Sequence, residues 1–376
     1  MRRRDSLAVA LWAWGLLSGP ALASEGEDSV RRGRALRFPR DHGAHLGAAI
    51  EWWYITGDLR GVGDQRHGFQ ITFFRSRTGL AAGLDSRFAA RQLLFAHAAL
   101  TDLGEKAHLH AQRIARWSGD ESAMLARAST RDTGLLLGGW TLQRHDTDGG
   151  SLYRTRFGST PAGNEPQDFE LQLELRATQA PLLQGDAGFS RKGPDESQAS
   201  HYLSEPQLAV QGTLRRAGRS VLVHGRAWLD HEWSDQLMHP QAVGWDWIGM
   251  NLDDGTALTA FRLRRADGSS LWAGGSWRSA AGALQVFAAG DVRFTPGRVW
   301  VSPASGARYP LQWTVDTPAG RFEVSSLLDA QELDSRGSTG TVYWEGLSEL
   351  FDAQQRRVGS GYLEMTGYAG RLNLGG

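Results

Sequence analysis

The sequence predicts an all-β protein built of antiparallel barrels or sandwiches. Three observations lead there: apolar and polar residues alternate with a period of two, turn signals recur at short spacing, and no long amphipathic helix follows the N-terminus. Phe169, Leu171, Leu173 and Leu175 share one face of a predicted strand whose other face carries charges and amides. That is the pattern of a half-buried antiparallel strand. Residues 208–214 and 321–327 read the same way, and Asp148-Gly149-Gly150, Ala217-Gly218, Asp253-Asp254-Gly255, Asp267-Gly268 and Ala319-Gly320 punctuate the runs.

Taken in order, the chain opens with a signal-peptide pattern over 1–23. Arg2-Arg3-Arg4 precede an apolar stretch from Leu7 to Leu17, and Ala21-Leu22-Ala23 supplies a small-x-small cleavage site. A bilayer span needs ~20 apolar residues, so this stretch is too short to cross one. The paired arginines suit a twin-arginine route, and the expected location is periplasmic or secreted. Residues 24–42 read as a flexible N-terminal segment. A first domain is expected over 43–236 and a second over 241–376, divided around Pro240; 185–200 reads as a loop inside the first. Nothing later approaches a transmembrane run.

Composition narrows the function. Basic and acidic residues both number 41, which argues against a nucleic-acid footprint. There are no cysteines, so thiol nucleophiles, Cys-ligated zinc and disulfide staples are excluded, and a sizeable core must hold the fold. Glycine (47) and tryptophan (15) stand out, supplying turns and large rings.

Chemistry concentrates in Trp228-Leu229-Asp230-His231-Glu232-Trp233 and Trp245-Asp246-Trp247. Ionisable groups among large apolar rings have perturbed proton affinities, a mark of functional sites. Strand alternation puts Leu229, His231 and Trp233 on one face and Trp228, Asp230 and Glu232 on the other. His231 is thus read at the rim of a barrel interior. Asp246 falls on an otherwise apolar face and is either paired with Arg262 or a neutral proton donor. Glu51-Trp52-Trp53-Tyr54, with Gln70, Phe73 and His97, is read as a second lining of an aromatic cavity. Glu345 and Glu364 are further carboxylates of open role. Adjacent strand residues cannot jointly bind an ion, and no hydrolase elbow, Walker loop or zinc helix occurs, so neither metal nor cofactor is expected.

The runs 51–57, 68–75, 227–234 and 244–247, with Tyr343-Trp344-Glu345-Gly346 and 361–368, resemble the AttH/carotenoid 1,2-hydratase family over essentially the whole mature chain. The resemblance implies two packed lipocalin-like (calycin) β-barrels, the first ending near Trp233. It also implies cofactor-independent addition of water to a carbon–carbon double bond, or hydrolysis, in a terpenoid or lipid-like substrate. His231-Glu232-Trp233 matches the family's His-x-Trp pair; no Tyr-x-Asp element aligns, and Asp246 stands in for it. Asp230, His231, Glu232 and Asp246 are therefore the expected acid–base set. Tyr202, Trp233, Trp245, Trp247 and Arg262 complete the expected substrate wall. The alternative is a non-catalytic periplasmic carrier of hydrophobic ligands, partnered with an ABC-type transporter permease.

Overall fold

In the computed structural model, residues 28–79, 86, 88–159, 169–236 and 238–371 are described. The leader expected at 1–23 lies outside them. Among the described residues no helix is long and apolar enough to cross a membrane.

The chain forms two large antiparallel sheets. Thirteen strands between Ile50 and Ser234 make the first, and ten between Gly244 and Met365 make the second. In the first, Ile50–Arg60 pairs on one side with Arg66–Arg77 and on the other with the long strand Arg219–Ser234. Pairing the start of the unit with its end curls the sheet into a nearly closed barrel. The second sheet repeats the device: Gly244–Leu252 lies between Ala257–Arg264 and Arg357–Met365.

Alternation decides what each barrel holds. Phe169, Leu171, Leu173 and Leu175 are buried in the first core beside Trp53, Ile55, Phe69 and Phe73, whereas Glu170 and Glu174 lie outside, paired with Arg156 and Arg154. Ile248, Met250, Trp313, Trp344 and Leu363 fill the second barrel. Residues 28–42 belong to the segment 24–42 read from sequence as flexible; most of 31–39 is exposed, and the end of the segment packs on the first barrel. Asp41 is buried there, bonded to Arg34 and His45.

The outer faces of the two barrels meet through a third apolar cluster that includes Tyr54, Trp228, Trp247, Phe261, Leu347 and Tyr362. Polar clamps surround it. The Gln207 side chain donates to the carbonyls of Leu252 and Thr256, Asn251 donates to the carbonyl of Ala227, and Arg66 joins Asp58 to Glu349.

Candidate functional site

Rings and carboxylates enclose a cavity of about 110 Å³ between the barrels rather than inside either one. One wall is two cross-strand rows of the first sheet: Thr72–Tyr54–Asp230–Ser204 and Phe74–Trp52–Glu232–Tyr202. The facing wall is the row Phe261–Trp247–Glu364–Glu345 of the second, with Trp245 and Tyr343 beside it. Each row exists because every second residue of a strand points the same way.

Asp230 is almost fully buried, and its surroundings dictate where a proton can sit. The Gln184 amide donates to Ser204 Oγ at 2.9 Å, leaving the Ser204 hydrogen for Asp230 Oδ1 at 2.5 Å. Trp228 Nε1, which can only donate, also reaches Oδ1, at 2.7 Å. A proton on Asp230 therefore occupies Oδ2, 2.8 Å from the Tyr202 hydroxyl. That hydroxyl accepts from Trp247 Nε1 at 3.2 Å. Tyr202 donates to Oδ2 when Asp230 is ionised; when Asp230 is protonated, Oδ2 donates to Tyr202 and frees that hydroxyl's own hydrogen. Burial raises the Asp230 carboxyl to about 7, against the pull of its three donors. Burial and the Asp230 charge hold the Tyr202 phenol well above its ordinary range.

Glu232 accepts from the Ser200 hydroxyl and pairs with Lys192 Nζ at 2.9 Å. Lys192 also lies over the rings of Tyr202 and Phe261, 4.5 and 4.3 Å from their centroids. Among the described lining residues it is the one cation facing four carboxylates. Burial, then the charge of Glu364, raises Glu345 well above the usual range; burial raises Glu364 to about 7, partly offset by Trp245.

The structure brings together Asp230, Glu232, Trp52, Tyr54, Tyr202, Trp245 and Trp247 from the expected set. It places the others elsewhere. His231 turns into the first barrel, where its Nε2 meets Glu51 Oε1 at 2.9 Å and its ring stacks on Trp53. Burial lowers its proton affinity. Glu51 is fully buried between Arg75 (2.8 Å), His45 (2.7 Å) and His231, and Trp233 stacks on His45. Asp246 is sealed in the second barrel by Arg262 at 2.7 Å and Tyr368 at 2.9 Å and does not line the cavity. Arg262 is committed to that pair. Phe73 belongs to the first core, and its neighbour Phe74 lines the cavity instead. Gln70 bonds to Thr72 behind the wall, and His97 bonds to Tyr343 at 2.9 Å.

Ligand atoms of His45, Glu51 and His231 lie within 4.8 Å of one another, a spacing a metal ion accepts. The donor set does not fit one. Both imidazole nitrogens of His45 are bonded to carboxylates, and the Arg75 guanidinium already occupies Glu51.

Sequence reasoning missed Lys192, Ser200, Phe74, Phe261 and Tyr343 in the lining and Ser204 as the partner of Asp230. Ser204 and Ser200 carried a signal, since both stand opposite the carboxylate strand in the hairpin 199–234. Lys192 carried none, because it reaches the site from the segment after a short strand, Phe189–Arg191.

The AttH-like family profile matches residues 29–368. Among solved structures, an AttH protein from Nitrosomonas europaea is 44% identical with a TM-score of 0.80, covering 90% of this chain and 99% of that one. Kievitone hydratase from Nectria haematococca is 15% identical with a TM-score of 0.65, covering 92% and 95%. CghA, at 13% identity and a TM-score of 0.50, shares the fold over 88% of this chain. No match is found among the curated proteins. On the profile over nearly its whole length and the close Nitrosomonas relative, the chain belongs to the AttH-like family.

Proposed function

We propose that this protein hydrates a carbon–carbon double bond at the apolar end of a lipophilic molecule, with Asp230 as the acid and Tyr202 as its relay. The observation that carries the reading is that Ser204 and Trp228 both donate to Asp230 Oδ1 while Oδ2 meets the Tyr202 hydroxyl, in a ring-lined cavity. Alkene protonation needs a positioned acid whose proton affinity is near the working pH. It leaves a cationic carbon, which the faces of Trp52, Trp247 and Phe261 suit by cation–π attraction. The proton moves through side chains alone.

Volume sets the substrate class. A dry cavity of about 150 Å³ holds one benzene ring. The 110 Å³ here fits a branched five-carbon end, not a whole polyene, so the body of the substrate extends beyond it. The fold shared with a hydratase supports the same direction.

The test is incubation of the purified protein with isoprenoid alkenes (an acyclic carotenoid, a prenylated phenol, geraniol) in heavy-oxygen water. Mass spectrometry should find one labelled water added by the wild type and far less by Asp230→Asn. Tight binding of these probes without any labelled product would instead favour a carrier of hydrophobic ligands.

A further inference from the structure

Across the cavity from Asp230, two carboxylates face each other with no cation between them among the described residues. Glu345 and Glu364 are directly opposed on the antiparallel strands Thr341–Phe351 and Arg357–Met365. Such pairs hold their Cβ atoms about 4.5–5.5 Å apart. Both line the cavity, and Glu345 is 2% exposed. Glu345 Oε1 and the hydroxyl of Tyr54, itself 6% exposed, form no well-aligned hydrogen bond with any described group. The Tyr54 hydroxyl nevertheless lies within loose hydrogen-bonding reach of Glu345, a contact that favours the Glu345 carboxylate. Buried polar atoms without a well-aligned partner are uncommon and costly. The opposed carboxyls and the Tyr54 side chain border the same cavity, and together they mark a place where a small polar reactant is held.

Two carboxyls this close in an apolar setting do not both ionise, so at neutral pH they carry a proton between them and titrate as a unit. Glu364 also feels the charges of Asp230 and Glu232. Loss of the Asp230 proton therefore strengthens the pair as a base.

We propose that Glu345 and Glu364, with Tyr54, hold the attacking water and accept its proton, forming a second catalytic group opposite Asp230. This rests on the acid–base reading of the cavity. The step balances as follows. The Asp230 proton passes through Tyr202 to one alkene carbon, and the π pair becomes that C–H bond. A lone pair of the water oxygen forms the C–O bond at the other carbon, and the released water proton goes to the ionised member of the pair. The alcohol departs with Asp230 ionised and the pair fully protonated. Solvent then returns a proton from the pair to Asp230.

The test uses the full chain and its Glu345→Gln, Glu364→Gln, doubly substituted and Tyr54→Phe variants. Glutamine is isosteric with a neutral glutamic acid, and phenylalanine keeps the ring, so the fold should survive; circular dichroism checks it. The infrared C=O stretch of protonated carboxyls, followed from about pH 5 to about pH 9, spans the titration range of the pair. At neutral pH the wild type should show a band that Asp230→Asn retains and the double variant loses. With a prenylated phenol as probe, each glutamine variant should lower kcat about a hundredfold with little change in KM. Tyr54→Phe should lower it about tenfold. A double variant with the wild-type spectrum, or one hydrating the probe at the wild-type rate, overturns the pair's role. Full activity in Asp230→Asn, or no hydration of any probe by the wild type, instead defeats the underlying reading of the cavity and removes the step with it.

Discussion

An asparagine at position 230 copies one protonation state of the native residue and not the other. Its carbonyl can take Ser204 and Trp228 where Oδ1 does, and its amide can donate to Tyr202 where a protonated Oδ2 would. Asp230→Asn should therefore fold normally and lose hydration by about a hundredfold or more, read as kcat/KM on an isoprenoid probe. The same carboxyl predicts a pH profile. Its proton is present below about 7 and absent above, so wild-type kcat/KM should fall as pH rises through that value. Stability follows with a definite sign. The folded carboxyl binds its proton more tightly than the unfolded one, whose ordinary value is 3.8. Its favourable contribution is thus complete below pH 3.8 and lost as pH climbs to about 7. Above neutrality, Asp230→Asn should exceed the wild type in unfolding free energy by about 2–4 kcal/mol. Denaturant titrations at acid and alkaline pH check this; a difference that does not grow with pH would show that Asp230 is not held neutral. A residue that weakens its own fold is a mark of a functional site, which suits the role proposed for Asp230.

Two hairpins explain why two of the buried acidic residues, Glu51 and Asp246, are structural. Glu51 stands directly opposite Arg75 in the first barrel, and Asp246 directly opposite Arg262 in the second. Each pair lies at the corresponding place of a corresponding hairpin, closed by His45 in one case and Tyr368 in the other. Asp246 is thus the counterpart of Glu51, not of Asp230. Asp246→Ala leaves Arg262 and Arg264 buried beside a lost partner. It should cost about 3–5 kcal/mol of stability, while activity per folded molecule stays near wild type. Lost activity with unchanged unfolding free energy would return Asp246 to the catalytic set. Strand alternation made part of this legible: it separated His231 from Asp230 and Glu232, and it put Asp246 on an apolar face. Alternation does not say whether an apolar face lines a hollow or a packed core. Here both barrels are filled, so His231, Trp53, Phe73 and Asp246 became core residues or members of buried ion pairs, while Trp52 and Tyr54 point out of the first barrel to the cavity between the two.

The cavity belongs to the association of the two barrels, which is why it was the least legible feature of the chain. The period-two pattern predicts strands and turns from neighbours, and the family motifs point to two barrels. The meeting of Tyr54 with Glu345 depends on how two outer surfaces dock, and no local pattern encodes that. The docking is tight at Gly68. A Cβ there would lie 2.6 Å from the Tyr362 hydroxyl and 3.0 Å from Leu347 Cβ, both buried residues of the second barrel. Gly68→Ala therefore forces the barrels apart by a few tenths of an ångström or strains them, at about 1–3 kcal/mol. Each barrel keeps its own core, so far-UV circular dichroism should be unchanged. Catalysis should suffer more than stability, because Asp230 and the Glu345–Glu364 pair sit on opposite walls and their separation widens with the interface. A shift of about 1 Å can cost a hundredfold in rate, so a loss of tenfold or more in kcat is expected. Tyr362→Phe removes the nearest clashing atom, so the combination Gly68→Ala with Tyr362→Phe should recover much of that loss. Recovery would locate the defect at the barrel–barrel contact. A Gly68→Ala protein with wild-type kcat would mean that the reacting groups do not face each other across this interface, and that the two walls work independently.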